Sequence, residues 1–212
     1  MTDIAIIDYG MGNLLSVAKA FEQVAPTARV TVTADASVIR AAARVVFPGV
    51  GAMADCMREL DRRGLTGAVR TAVASRPFLG ICLGMQALFE HSEEGDCAGL
   101  GILPGRVRLF PGQAMFDAEG NKLKVPHIGW NGVRHTREHP LWTGIGEDER
   151  FYFVHGYYCD PAEARLVAGT ARYPFEFACA VVRDNLFAVQ FHPEKSAAPG
   201  LRLLANFVTW KV

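Results

Sequence analysis

The chain alternates between short apolar runs and longer segments whose apolar residues recur every three or four positions. Residues 4–8 form a strand-sized run that breaks at Gly10-Met11-Gly12, and 14–24 then follow a helical period. Residues 29–33 alternate with β-branched side chains, a strand signal, and an Ala-rich segment follows at 37–43. Val45-Val46-Phe47 closes on Pro48-Gly49-Val50-Gly51. Residues 54–73 again carry helical spacing, interrupted by Gly64 and Gly67. A further apolar run at 77–81 breaks at Cys82, after which 85–90 reads as helix. Strands alternating with helices in this way predict a mostly parallel sheet flanked by helices.

The second half has a different rhythm. Short runs at 106–110, 123–125, 151–154, 166–170, 178–182 and 187–191 are separated by turn signals, with hairpins expected at Glu119-Gly120-Asn121 and Asp184-Asn185. Residues 199–210 close the chain as a helix. No linker or repeat separates the halves, so the expectation is one domain over 1–212: α/β, with an added antiparallel region.

Composition narrows the class. Of 212 residues 50% are apolar, and 22 Lys and Arg balance 22 Asp and Glu, which excludes a disordered chain and argues against a nucleic-acid binder. Zero net charge leaves little self-repulsion, a hint of a partner. The first eight residues hold two acids and no base, so no signal peptide is expected. The longest charge-free apolar stretch, 77–89, falls short of the ~20 residues of a spanning helix. Five cysteines without a C-x-x-C pair or metal-ligand spacing speak against zinc and redox roles, and free thiols place the protein in the cytoplasm.

Gly80-Ile81-Cys82-Leu83-Gly84, between a strand and a helix, has the spacing of a nucleophile elbow, where small neighbours admit a tight turn. The N-terminus of the following helix would favour a thiolate at Cys82. Phe191-His192-Pro193-Glu194 ends an apolar run; Pro193 forces His192 to be extended, so Glu194, two residues on, can orient the imidazole while its other nitrogen faces Cys82. For a tetrahedral intermediate, Leu83 N–H is one donor, and the loop Gly49-Val50-Gly51 is placed to give a second. Gly10-Met11-Gly12-Asn13-Leu14-Leu15 imitates a dinucleotide-binding turn but has Leu15 where the third glycine belongs, and reads as a structural or interface turn.

With Cys82, His192 and Glu194 in that order, the chain resembles the class I, triad-type glutamine amidotransferases. Gly80 to Gln86 and His192-Pro193-Glu194-Lys195 match both signatures of that family. More narrowly, Asp8-Tyr9-Gly10-Met11-Gly12-Asn13, Pro48 to Gly51, Pro126-His127-Ile128-Gly129-Trp130-Asn131 and Phe151 to His155 resemble the glutaminase subunits of imidazole glycerol phosphate synthases. The resemblance implies a flavodoxin-like amidotransferase fold and hydrolysis of glutamine through a Cys82 thioester, without a cofactor. It implies that Gln86, Glu94 and the backbone around Gly49, His155 and Tyr157 hold the amino-acid end of glutamine. It also implies delivery of ammonia to a separate (β/α)₈ synthase (cyclase) subunit in a heterodimer serving histidine biosynthesis. Asn13, Pro126, His127, Trp130 and Asn131 are the candidate interface, with residues 126–131 expected as a projecting loop. Two departures stand out: Gly156 occupies a position where Ser or Thr is commoner, and the stretch 116–122 is longer than typical. Glutaminases of anthranilate or aminodeoxychorismate synthase, a stand-alone cysteine hydrolase and a non-catalytic binding module are the alternatives.

Overall fold

The computed structural model describes residues 3–111, 115–116 and 120–212. The first half runs β1 (Ile4–Ile7), α1 (Leu14–Val24), β2 (Val30–Thr33), α2 (Ala36–Ala41), β3 (Arg44–Gly49), α3 (Met53–Arg62), α4 (Thr66–Ser75), β4 (Phe78–Cys82) and α5 (Leu83–Gln86). The second half adds β5 (Phe89–Ser92), β6 (Cys97–Ala98), β7 (Leu103–Leu109), β8 (His127–Gly132), β9 (Arg134–His135), β10 (Arg150–His155), β11 (Tyr157–Pro161), β12 (Val167–Arg172), β13 (Glu176–Arg183), β14 (Leu186–Val189) and α6 (Ala197–Thr209).

The main sheet has the order β2-β1-β3-β4-β14-β13-β11-β7-β5-β6, with β12 and β9 branching from β13. Strands β2, β1, β3, β4 and β14 are parallel, and the antiparallel extension begins at the β13–β14 hairpin. Along β1, successive side chains enter opposite faces: Ile4 and Ile6 join the core under α1 and α6, while Ala5 and Ile7 join the core under α2, α3 and α4. Covering both faces explains why the parallel strands read as unbroken apolar runs. No helix among the described residues is long and apolar enough to cross a membrane.

Several expectations are corrected by these elements. The segment 54–73 is two helices: Gly64, at φ +65°, ends α3, with Leu65 N–H donating to Leu60 O and Gly64 N–H to Asp61 O. The helix expected over 85–90 stops after one turn, because Phe89 pairs with Leu103 and starts β5. Every residue from Leu83 to Phe89 is buried, so the run carries no periodicity to separate helix from strand. Residues 123–125 are not a strand; Phe116 and Lys122 bridge and Leu123 N–H donates to Met115 O, while Glu119 of the expected hairpin lies outside the described residues. Finally, residues 127–131 belong to β8 rather than to a projecting loop. They pair with β10, Trp130 opposite Tyr152 and His127 opposite His155.

The antiparallel region is held by an aromatic cluster centred on Phe110, which is fully buried with five ring neighbours (His155, Tyr158, Tyr173, Phe175 and Phe177) at centroid distances of 5.0–6.0 Å. Phe110→Ala is expected to destabilise the protein by ~3–5 kcal/mol, the usual cost of emptying a large core site. Leu109→Ala, at an exposed neighbour, should stay within ~0.5 kcal/mol of the parent. Urea unfolding of both variants at unchanged slope checks the contrast.

Candidate active site

Parallel registry assembles the site. Gly49 at the end of β3 lies level with Cys82 at the end of β4, and β14 runs beside β4 with Val189 level with Ile81. The chain leaving β14 therefore carries Gln190, Phe191 and His192 past the same edge, at the carboxyl ends of parallel strands.

Cys82 sits at φ 54°, ψ −112°, a conformation that costs a non-glycine residue ~1–3 kcal/mol and turns its side chain out of the strand. The flanking glycines make the turn possible by close approach. A Cβ at Gly84 would lie 1.8 Å from the Phe47 carbonyl oxygen, and one at Gly80 would meet the Ala188 Cβ at 2.9 Å. The helix that follows is α5, a single turn, so the expected dipole is reduced to the first N–H groups beyond the sulfur. The other four cysteines have their thiols pushed up by burial, Cys56 to about 12, which holds them protonated.

His192 is extended, at φ −103°, ψ 96°, and buried. Its Nδ1 lies 2.9 Å from Glu194 Oε1. The carboxylate only accepts, so Nδ1 carries the proton and Nε2 is turned to the other side. Burial alone would lower the His192 pKa, but Cys82 and Glu194 outweigh it and push the pKa up to about 10. Nε2 has no well-formed hydrogen bond among the described residues although the Cys82 sulfur is near enough to act on the ring. Bonds of this kind commonly tighten only with substrate bound. The His192 backbone is pinned: its N–H donates to Tyr152 O at 2.9 Å, and its carbonyl accepts from Ser196 Oγ at 2.6 Å.

Cys82 and His192 open into a cavity of about 300 Å³ walled also by Val50, Gly51, Leu83, Gln86, Glu94, Val154, His155, Gly156 and Tyr157. Of the residues expected to contact substrate, only Gly49 lies outside this lining; it backs the wall, where a Cβ would fall 2.2 Å from the Tyr9 hydroxyl. Gly51 adopts φ +100°, so the loop uses its glycines both for close approach and for backbone angle. Glu94 Oε2 accepts from Met53 N–H at 2.8 Å, tying the carboxylate to the start of α3 just beyond this loop. A Cβ on Gly156 would meet Val125 and Pro126 only at ordinary contact distance, so the wall has room for the commoner Ser or Thr.

The second histidine of the wall is a different species. His155 Nδ1 donates to Tyr157 O at 2.7 Å, and its Nε2 is 3.0 Å from His127 Nδ1. His127 Nε2 faces the Asn131 amide at 3.4 Å. Burial pulls His155 down to about 3 and His127 to about 4, so both are neutral, with the donors running from Asn131 through His127 and His155 to the Tyr157 carbonyl. Both His155 nitrogens are engaged, which leaves His192 to handle protons in this cavity. His127 is therefore removed from the candidate interface: it is buried, stacked on Tyr173 at 4.0 Å, and Asn131 spends its amide on Arg172 O at 2.9 Å. Asn13, Pro126 and Trp130 are exposed, as is Ile128 of the same expected segment. At the dinucleotide-like turn, Gly10 N–H is taken by Asp8 Oδ1 at 2.8 Å and the Arg63 guanidinium covers Gly10, so the turn offers no phosphate cradle.

The chain is 64% identical over 208 residues to "Imidazole glycerol phosphate synthase subunit HisH" of Thiobacillus denitrificans, covering 98% of this chain and 91% of the relative. It is equally 64% identical over 210 residues to the protein of that name from Aromatoleum aromaticum, covering 99% of each. In fold it is similar to the glutaminase domain of Trypanosoma brucei CTPS with bound acivicin, at a TM-score of 0.67 and 18% identity, over 100% of this chain and 96% of that one. The family model "Glutamine amidotransferase class-I" matches residues 5–210. The chain belongs to the class I glutamine amidotransferases.

Proposed function

We propose that this chain is the glutaminase subunit of an imidazole glycerol phosphate synthase, with Cys82, His192 and Glu194 as its catalytic triad. The observation that carries the triad is a cysteine on a strained elbow sharing one small cavity with an imidazolium whose far nitrogen is fixed by a buried carboxylate. Cys82 Sγ attacks the side-chain amide carbon of glutamine. Leu83 N–H and the loop of Gly49, Val50 and Gly51 stabilise the oxyanion, and His192 Nε2 gives its proton to the departing ammonia. Neutral His192 then takes a proton from water as the thioester is cleaved, and glutamate leaves. Gln86 and Glu94 hold the ammonium end of the substrate, while the walls at His155 and Tyr157 set its orientation. Tyr157 contributes shape, because its carbonyl already accepts from Gln86 and His155. The 54–64% identity to synthase subunits, over nearly the whole chain, favours this reading over the anthranilate and aminodeoxychorismate alternatives.

Ammonia passes to a (β/α)₈ synthase subunit in a heterodimer. What supports a docking face is β8, whose period is inverted: His127 points inward, while Ile128 and Trp130, at 59% and 44% exposure, point out on the face opposite. Among the described residues, the aromatic contact of Trp130 is edge-on with Tyr152, and its exposure argues against a core cap. Asn13, at the start of α1, and Pro126 complete the candidate surface. A sheet that runs through both halves supports one domain over 1–212. Five unpaired cysteines support a cytoplasmic location.

Cys82→Ala is expected to abolish glutaminase activity by ~10⁴-fold or more while leaving the fold intact. The assembled synthase should still work with external ammonia; a variant keeping a tenth of the parent rate would disprove the triad. Because the folded pKa of His192 is raised, its imidazolium persists through neutral pH. The stability it lends is complete below pH ~6.5 and is lost as pH climbs through about 10. Nitrogen NMR should show His192 charged at pH 8, Glu194→Gln should move its titration downward, and the rate should fall on the alkaline side as the proton donor is lost. Trp130→Ala should weaken association with the synthase subunit by ~2 kcal/mol or more in calorimetry, with unchanged circular dichroism.

A further inference from the structure

Gln190 is a fully buried amide in an otherwise apolar run, Leu186-Phe187-Ala188-Val189 before it and Phe191 after it. Its backbone is satisfied by pairing, with its N–H on Cys179 O at 2.8 Å, so the side chain is not there to repair the sheet. A Met of similar volume would fill the space without burying polar atoms.

The direction of the amide follows from its neighbours. The Tyr157 carbonyl can only accept, so Gln86 presents its NH₂ there at 3.2 Å. The same NH₂ reaches Gln190 Oε1 at 3.0 Å, which turns the Gln190 NH₂ toward Cys82 Sγ at 3.7 Å. Gln86 also lines the cavity, and its Oε1, which takes no hydrogen bond among the described residues, is the end that suits a substrate ammonium.

We propose that Gln190 is a fourth catalytic residue, whose side-chain amide donates a hydrogen bond to the Cys82 sulfur and, through its carbonyl, holds Gln86 with its oxygen toward the substrate. The inference rests on Cys82 being the nucleophile. A thiolate is a far better acceptor than a thiol or a thioester, so the bond favours the charged sulfur at two moments. Before attack it supports the thiolate. In the second half-reaction, a C–O bond forms from water, the C–S bond breaks, and its electron pair returns to sulfur; the same donor stabilises that leaving group. The His192 proton transfers are unchanged, and no other reactant is needed.

Gln190→Met tests this in the full-length chain with its synthase partner. The readout is the pH profile of iodoacetamide alkylation, with the modified peptide identified by mass spectrometry. Loss of the donor should raise the midpoint of Cys82 alkylation by about one pH unit and lower kcat about tenfold or more, and a loosened Gln86 should raise KM for glutamine. A purely structural role would lower the unfolding midpoint and leave the alkylation midpoint in place, and that result overturns the proposal. Should the variant not fold, the unaltered protein decides. The Gln190 side-chain amide resonance should shift with the Cys82 titration and stay flat in Cys82→Ala; an amide blind to that titration overturns the inference. If alkylation of Cys82 leaves glutaminase activity intact, or Cys82→Ala stays active, the triad itself fails, an outcome distinct from a normal Cys82 that ignores Gln190.

Discussion

The contact between Gly84 and the Phe47 carbonyl is the constraint on which the site depends. It lets α5 start directly against β3, so that β4 can end in a turn too sharp for an ordinary residue pair. With β3 and β4 locked in parallel register, Gly49 and Cys82 then lie side by side without any adjustable loop between them. The strain held at Cys82 is offset by packing on both faces of the strand, since Phe78, Leu79 and Ile81 are all buried. Strand β14 adds the third edge, and the residues that follow it bring two polar groups of different kinds, Gln190 and His192, to the same sulfur.

Polarity inside the site is arranged by direction as much as by charge. His192 lies between an acceptor on one side and the sulfur on the other, and this keeps it positive despite burial. His155, on the wall of the same cavity, has a backbone carbonyl on one side and another neutral histidine on the other, and burial wins. Two histidines in one cavity thus hold opposite protonation states because their partners differ.

How much of this the sequence discloses depends on whether a residue's neighbours are near in the chain. The Cys82 elbow is legible because Gly80 and Gly84 are local, and the His192–Glu194 contact because Pro193 fixes the intervening backbone. Helix α1, with a plain 3.6 period, is also readable to the residue. Strand β8 is not, since its inward positions are His127, Gly129 and Asn131 and its outward ones Ile128 and Trp130, the reverse of the usual pattern. The stop of α5 is equally hidden, being set by Leu103 across the sheet rather than by any breaker nearby. Gln190 carries no local signal at all; its role depends on Gln86 and Cys82, 104 and 108 residues away.

The inverted strand has a consequence for how the chain must be produced. A molecule with no formal net charge near neutral pH has little long-range repulsion to keep copies apart where Ile128 and Trp130 face water. Its colloidal behaviour is therefore tied to supply. If the partner covers the proposed docking face, copies made in excess of it expose Ile128 and Trp130 to one another, and balanced synthesis of the two subunits then serves solubility as well as metabolic flux.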